Sequence, residues 1–128
     1  MVSEESFNHY KIGHEHTDAA HWELIELMNA AIVFLKKSET SSAIPLILHL
    51  EDKLLKHISE EEQLMKEINY PYIDAHKTEH LGIVRDIRKI HNMIDSRVLK
   101  EHIVSHFEET IMNHIDHTDM QIAEYLHK

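Results

Sequence analysis

From Asp18 onward, apolar residues recur at three- and four-residue steps, the period of an amphipathic α-helix, and nothing else in the sequence constrains the fold as strongly. Leu24, Leu27, Met28, Ile32 and Leu35 carry a first helix over residues 18–37, with Thr17 or Asp18 as its cap. The run from Lys36 to Ser42 breaks the pattern with late basic residues and fresh hydroxyl caps, so a second helix begins there. That helix spans 42–68 through Leu46, Leu50, Leu54, Leu64 and Ile68, and Pro45 fits its first turn, where a missing N–H costs little. Pro71 opens a third helix over 71–92 through Ile73, Ile83, Ile87 and Ile90. After a turn near 92–96, a fourth covers 97–116 with Val98 or Leu99, Ile103, Phe107 and Ile111, and Ile122, Tyr125 and Leu126 mark a short helical tail. Short connections make successive helices antiparallel. The expectation is therefore an all-α chain, one domain over 1–128, folded as an up-down-up-down four-helix bundle.

Composition narrows the function. With 2 Gly and 2 Pro in 128 residues, the turns of an all-β sandwich and the glycine loops that cradle phosphates are both out of reach. Hydrophobic residues at 42% and charged residues at 28% are the balance of a globular domain. A formal charge of −10 disfavours nucleic acid and acidic membrane surfaces as partners. The start MVSEESFNHY lacks a basic segment followed by an apolar run, and no stretch approaches ~18 uninterrupted apolar residues. The sequence thus predicts a cytoplasmic protein without membrane insertion, monomeric in the first instance, with an oligomer left open. Without Cys, any metal must be held by nitrogen and oxygen donors.

Histidine is the outlier, at 14 of 128 residues. A plain bundle with its histidines on solvated faces is the simplest account, and position tests it. At ~100° per residue, His57 falls within roughly 20° of Leu50, Leu64 and Ile68, and Glu61 joins it at i+4. His76 and His80 share the stripe of Ile73, Ile83 and Ile87; His21 shares that of Leu24, Met28 and Ile32; His114 shares that of Ile103, Phe107 and Ile111. Height agrees as well. His21 and His57 stand about 18 residues either side of the first turn. His57 and Glu61 precede the second turn by about 12 and 8 residues, and His76 and His80 follow it by about 7 and 11. His76 and His114 stand about 18 and 20 residues from the third turn near Ile94. Five histidines and a glutamate converge on one layer.

Half a dozen buried polar groups without partners, at about 1–3 kcal/mol each, would consume the ~5–15 kcal/mol stability of such a domain. Metal coordination removes that cost. The donors exceed what one small ion needs and suit two, with imidazole and carboxylate favouring iron or manganese. A ferritin-like carboxylate site is the competing arrangement, but it requires Glu-x-x-His on two helices, and here that spacing occurs only at Glu124 and His127 in the tail.

The ordered motifs D-A-A-H ending at His21, H-I-S-E-E-E-Q-L-M from His57, Tyr70-Pro71, H-K-T-E-H from His76 and H-I-D-H-T-D from His114 resemble the hemerythrins, the short single-domain bacterial ones, from about Phe7 to Leu126. The resemblance adds Asp119, which periodicity does not place because it follows His114 by five residues. It implies that one iron takes His76, His80 and His114 and the other His21 and His57, with Glu61 and Asp119 spanning both beside an oxo or hydroxo bridge. The first iron then has six donors and the second five, so one position stays open on the His21/His57 iron. Dioxygen is the implied ligand, bound reversibly for storage, delivery or sensing; nitric oxide or small anions are further candidates for the same position. The resemblance implies a binder with no catalytic residue, not an enzyme. A regulatory module and an oxygen-, peroxide- or nitric-oxide-consuming enzyme remain the alternatives.

A dry pocket favours reversibility, and Leu24, Ile58, Ile111 and Ile115 are its expected walls, as neighbours of ligands on adjoining faces. Family members commonly carry an aromatic after the His of H-x-x-x-E and a Trp four residues before the last ligand His. This chain has Ile58 and Thr110, which predicts a roomier or wetter pocket. The other nine histidines are read as surface residues, with His14 and His16 capping or packing before the first helix. His102 and His106, an i, i+4 pair, lie off the core stripe. Trp22 is expected to face away from the ligands as a packing residue, and Glu60 and Glu62 to be solvated.

Overall fold

The computed structural model describes residues 2–94 and 100–126, without the side chains of 100, 101 and 117–119. Along the chain run a single-turn helix α1 (Glu4–Phe7), a 3-10 turn (Asn8–Tyr10), α2 (Glu15–Lys36), α3 (Thr40–Glu67), α4 (Ile73–Ile94), α5 (Lys100–Asn113), a π-helical segment (His114–Asp119) and α6 (Met120–Leu126). The long helices close a ring: α2 packs on α3 and α5, and α4 packs on α3 and α5. The result is the antiparallel helical bundle that the period predicts. The predicted third turn, with Val98 and Leu99, lies outside the described residues.

Both described turns between long helices end in the same way, and neither uses glycine. Ser38 (φ 62°) and Asn69 (φ 54°) adopt the left-handed conformation just past α2 and α3. Glu39 N–H donates to Phe34 O at 2.9 Å and Ser38 N–H to Leu35 O at 3.2 Å; Tyr70 N–H donates to Met65 O at 2.9 Å and Asn69 N–H to Lys66 O at 3.2 Å. This paired bonding satisfies carbonyls that a helix end leaves open and folds the chain back within a few residues. Asn tolerates the left-handed region; Ser does so at a cost.

The helix starts differ from the sequence reading. α2 begins at Glu15, capped by His14, whose ring accepts from the Thr17 N–H, and not by Thr17 or Asp18. Asp18 instead reaches back to accept from the N–H groups of Ile12 (2.7 Å) and Gly13 (3.2 Å). α3 begins at Thr40, so Pro45 sits past its first turn, inside the helix. α4 starts two residues after Pro71, at Ile73. An N-terminal arm that periodicity did not signal is clamped onto α2: Val2 and Asn29 exchange two hydrogen bonds, and Phe7 stacks at 5.2 Å on Trp22. Trp22 is thus a packing residue, as expected.

Two apolar clusters fill the interior. The larger runs from Phe7, Leu35 and Ala43 through Leu50, Leu54, Ile87 and Phe107 to Ile111 and Ile115. The smaller joins Ile12, Leu64, Met65 and Tyr70 to Ile122 and Ala123 of α6, so the C-terminal helix packs onto the α3–α4 turn. Tyr125 reinforces this, packing edge-on against Tyr70 and donating to Asn69 O at 3.3 Å. The buried stripe of α3 passes from the large cluster (Leu50, Leu54) to the small one (Leu64, Met65) through His57 and Glu61, so a polar layer separates them. Relieving the left-handed serine should stabilise the bundle: Ser38→Gly is expected to add up to about 1 kcal/mol in a denaturant melt, whereas Asn69→Gly gains less.

Candidate metal centre

Four elements each contribute to the polar layer because their apolar stripes continue straight into it. On α3 the buried residues step 50, 54, 57, 61, 64, so His57 and Glu61 occupy core positions. On α4 the stripe is His76, His80, Ile83, Ile87; on α2 it includes His21 and Leu24. His114 opens the π segment that follows α5. All six side chains predicted to converge there are buried: His21, His57, Glu61, His76, His80 and His114 expose 6% or less.

Their arrangement has a feature that spacing alone did not give. The two carboxylate oxygens of Glu61 face different histidines. Oε2 lies 3.1 Å from His57 Nε2 and 3.6 Å from His21 Nε2, while Oε1 lies 2.7 Å from His76 Nε2 and 2.9 Å from His80 Nε2. His114 packs beside the second set, its ring 5.2 Å from that of His80 and 6.2 Å from that of His76. Two overlapping groups of donor atoms therefore form, one from His21, His57 and Glu61, the other from Glu61, His80 and His114, and Glu61 belongs to both.

The donor chemistry fits cations. His21 Nε2 and His57 Nε2 face each other at 3.1 Å, where two neutral rings can share only one proton. His80 Nδ1 lies 3.0 Å from Glu62 Oε2, and a carboxylate only accepts, so Nδ1 carries the proton. In a neutral ring that leaves the Nε2 lone pair pointing at Glu61, a repulsive contact that a cation between them turns attractive. Nitrogen and carboxylate donors, with no thiolate in the chain, suit borderline and hard divalent ions.

Glu62 and Glu60 depart from the sequence reading. Expected to be solvated, both are partly exposed but each also meets a histidine. Glu62 orients His80 from behind, and Glu60 bonds the exposed His16 at 2.6 Å. One-residue steps of ~100° from the inward Glu61 turn its neighbours toward the flanking helices, which was the available signal. His14 serves as a cap, as one of the two expected roles. His102 is exposed and His106 half-buried, away from the layer. His117 and His127 lie outside the described side chains, and so does the Asp119 carboxylate. The backbone of Asp119 closes the π segment, whose wider turn brings position 119 closer in azimuth to position 114 than an α-helix would.

Of the expected pocket walls, Leu24, Ile111 and Ile115 are buried in the large cluster, whereas Ile58 is half-buried and lines a groove on the outside of α3 and α4. Thr110 lines a separate cleft of ≈ 470 Å³ between α4 and α5 that reaches His114 and is edged by Glu79, Asp86 and Glu109. A Cβ added at Gly82, on the same cleft, would meet nothing within 4 Å. This is open space beside His114, where Thr110 stands in place of a Trp.

A helical bundle with a buried layer of imidazoles sharing one carboxylate defines a class of cation-binding protein. The comparisons identify the family: the chain belongs to the hemerythrins, matching the hemerythrin HHE cation binding domain over residues 13–126. It is similar to a bacteriohemerythrin of Aquifex aeolicus, 26% identical over 120 residues that cover 91% of this chain and 92% of that protein. A bacteriohemerythrin of Campylobacter jejuni is 26% identical over 113 residues, 84% of each chain. One of Stenotrophomonas maltophilia is 24% identical over 114 residues, 88% of this chain and 74% of that one. No solved structure matches the chain significantly. Among the described residues, no helix is long and apolar enough to cross a membrane.

The Glu62 contact gives a direct test of the layer as a metal site. Glu62→Gln removes the charge behind His80 without touching the core. Divalent-metal affinity, measured by competition with a chelator, is expected to fall about 10–100-fold with the helical content unchanged.

Proposed function

We propose that this chain binds dioxygen reversibly at a pair of non-heme iron ions held in the polar layer. The observation that carries the reading is the division of Glu61 between two histidine sets, one oxygen to each. A carboxylate so placed would serve two cations rather than one. His76, His80 and His114 would hold one ion, and His21 and His57 the other. Asp119 is assigned as the second bridging carboxylate, a role supported by the π register that follows His114.

When bound, ferrous ions in such a site supply the two electrons that dioxygen takes up on binding and returns on release. The protein's part is to leave a vacancy and keep it dry. His21 and His57 would give their ion one imidazole fewer than the other set gives, which would leave room for a ligand on that side. Leu24, Ile111 and Ile115, buried in the core and close in sequence to His21 and His114, would exclude water, and half-buried Ile58 beside His57 packs against the same cluster. Glu62 fixes the His80 tautomer and so keeps its Nε2 available as a ligand. Every described imidazole and carboxylate of the layer has a ligand role in this scheme, which leaves none as a general acid or base. The reading is accordingly a carrier or sensor and not an enzyme, and nitric oxide or small anions would compete for the same position.

Purified protein is expected to hold two irons per chain, and the anaerobically reduced form to take up dioxygen and give it back under vacuum. Steady dioxygen consumption with an electron donor, and none recovered, would make the protein an enzyme instead. Glu61→Ala is expected to lose the paired iron and, with it, the stabilisation that metal confers in thermal melts, about 4 kcal/mol at a thousandfold excess over Kd. Unchanged iron content in that variant would remove the bridging role.

A further inference from the structure

A groove of ≈ 720 Å³ runs along the outside of the bundle between α3 and α4, within the size range of small-molecule sites. Its centre is apolar, formed by Leu55 and Ile58 of α3 and Leu81 and Val84 of α4. Leu81 is 74% exposed and Leu55 43%, and Leu48, seven residues before Leu55 on the same helix face, is 44% exposed. Of the five exposed large apolar residues among those described, two, Leu55 and Leu81, thus line this one groove. Scattered exposed leucines need no explanation; a concave cluster does.

The rim is as unusual as the floor. On a chain of net charge −10 with only 13 basic residues, four of them line this one groove: Lys77, Arg85, Arg88 and Lys89. Arg88 is committed across the groove to Glu51 at 2.8 Å. Lys77 and Lys89 have no carboxylate partner among the described residues, and Arg85, 69% exposed, only approaches its neighbour Asp86 at 3.7 Å. The antiparallel pairing of the helices orders these groups. Lys77 lies at the Glu62 end of the groove, and Arg85 and Lys89 lie toward the other, roughly 12 and 18 Å along α4 at 1.5 Å per residue. Three of the four basic side chains, Arg85, Arg88 and Lys89, are thus gathered at one end, and the apolar channel leads from there to the Glu62–His80 hydrogen bond.

We propose that this groove is a binding site for a linear amphipathic organic anion, such as a medium-chain carboxylate, with its headgroup between Arg85 and Lys89 and its chain laid over Leu55, Leu81, Val84 and Ile58. The basic end matches an anionic headgroup and the apolar floor its chain; a second copy of this chain is the alternative that the experiment separates. The bound chain ends over the carboxylate that orients His80, so occupancy also dries that hydrogen bond. The site stands on the groove's own residues and does not depend on which metal the layer holds.

Dodecanoate titrated calorimetrically into the iron-loaded protein, below its micelle concentration, is expected to bind one to one. Dodecyltrimethylammonium, with the same chain and the opposite charge, and acetate, with the charge and no chain, are expected not to bind. R85E/K89E should weaken dodecanoate binding about tenfold or more, and Leu81→Gln severalfold, with iron content unchanged in both because neither touches the layer. Equal binding of the cationic amphiphile, no binding of dodecanoate, or affinity indifferent to both variants would overturn the proposal. So would a concentration-dependent dimer that dodecanoate does not dissociate and that R85E/K89E shifts in either direction, since the groove would then be a self-association face.

Discussion

Glu61 is sealed from water at 1% exposure with imidazole nitrogens against both of its oxygens, and the rest of the structure depends on how that charge is compensated. A buried carboxylate costs several kcal/mol unless opposite charge and hydrogen bonds surround it. Neutral imidazoles supply one N–H apiece, and the His80 proton is already committed to Glu62. Cations placed among the converging nitrogens meet both needs at once. The bundle is thus organised around a layer whose cost falls when it is metallated, with the large core on one side and the cap of Ile12, Tyr70 and α6 on the other.

That division of labour explains why the flanking elements take the forms they do. The turns at Ser38 and Asn69 reverse the chain within a few residues, which keeps His21 level with His57 and Glu61 level with His76 and His80. A longer loop would let helices slide by a residue and rotate a ligand off the stripe. The π segment after α5 works in the other direction, changing the register of the chain locally so that a five-residue step from His114 follows the helix surface more closely.

Most of the fold was legible because a three-and-four period is a property of single helices, which local sequence records. The convergence of His21, His57, Glu61, His76, His80 and His114 was legible for the same reason, since azimuth and height follow from counting residues. What counting could not give was the environment between helices. Glu60 and Glu62 read as solvated because a helix period assigns them to flanking positions without saying that His16 and His80 stand opposite. His14 as a cap and Asp18 as a tether for Ile12 and Gly13 depend on an N-terminal arm whose four-residue helix is too short to show a period. Counting does not place Asp119, because an α-helical step of five residues from His114 points about 140° away; the backbone of 114–119 is π-helical, whose wider turn shortens that angle.

X-ray absorption at the iron edge of the loaded protein addresses the central claim, that one carboxylate in a histidine layer joins two ions. The account predicts a first shell of nitrogen and oxygen alone together with an iron–iron scattering vector, present in the parent protein and lost in Glu61→Ala. A single isolated iron in the parent, with no such vector at full occupancy, would contradict it.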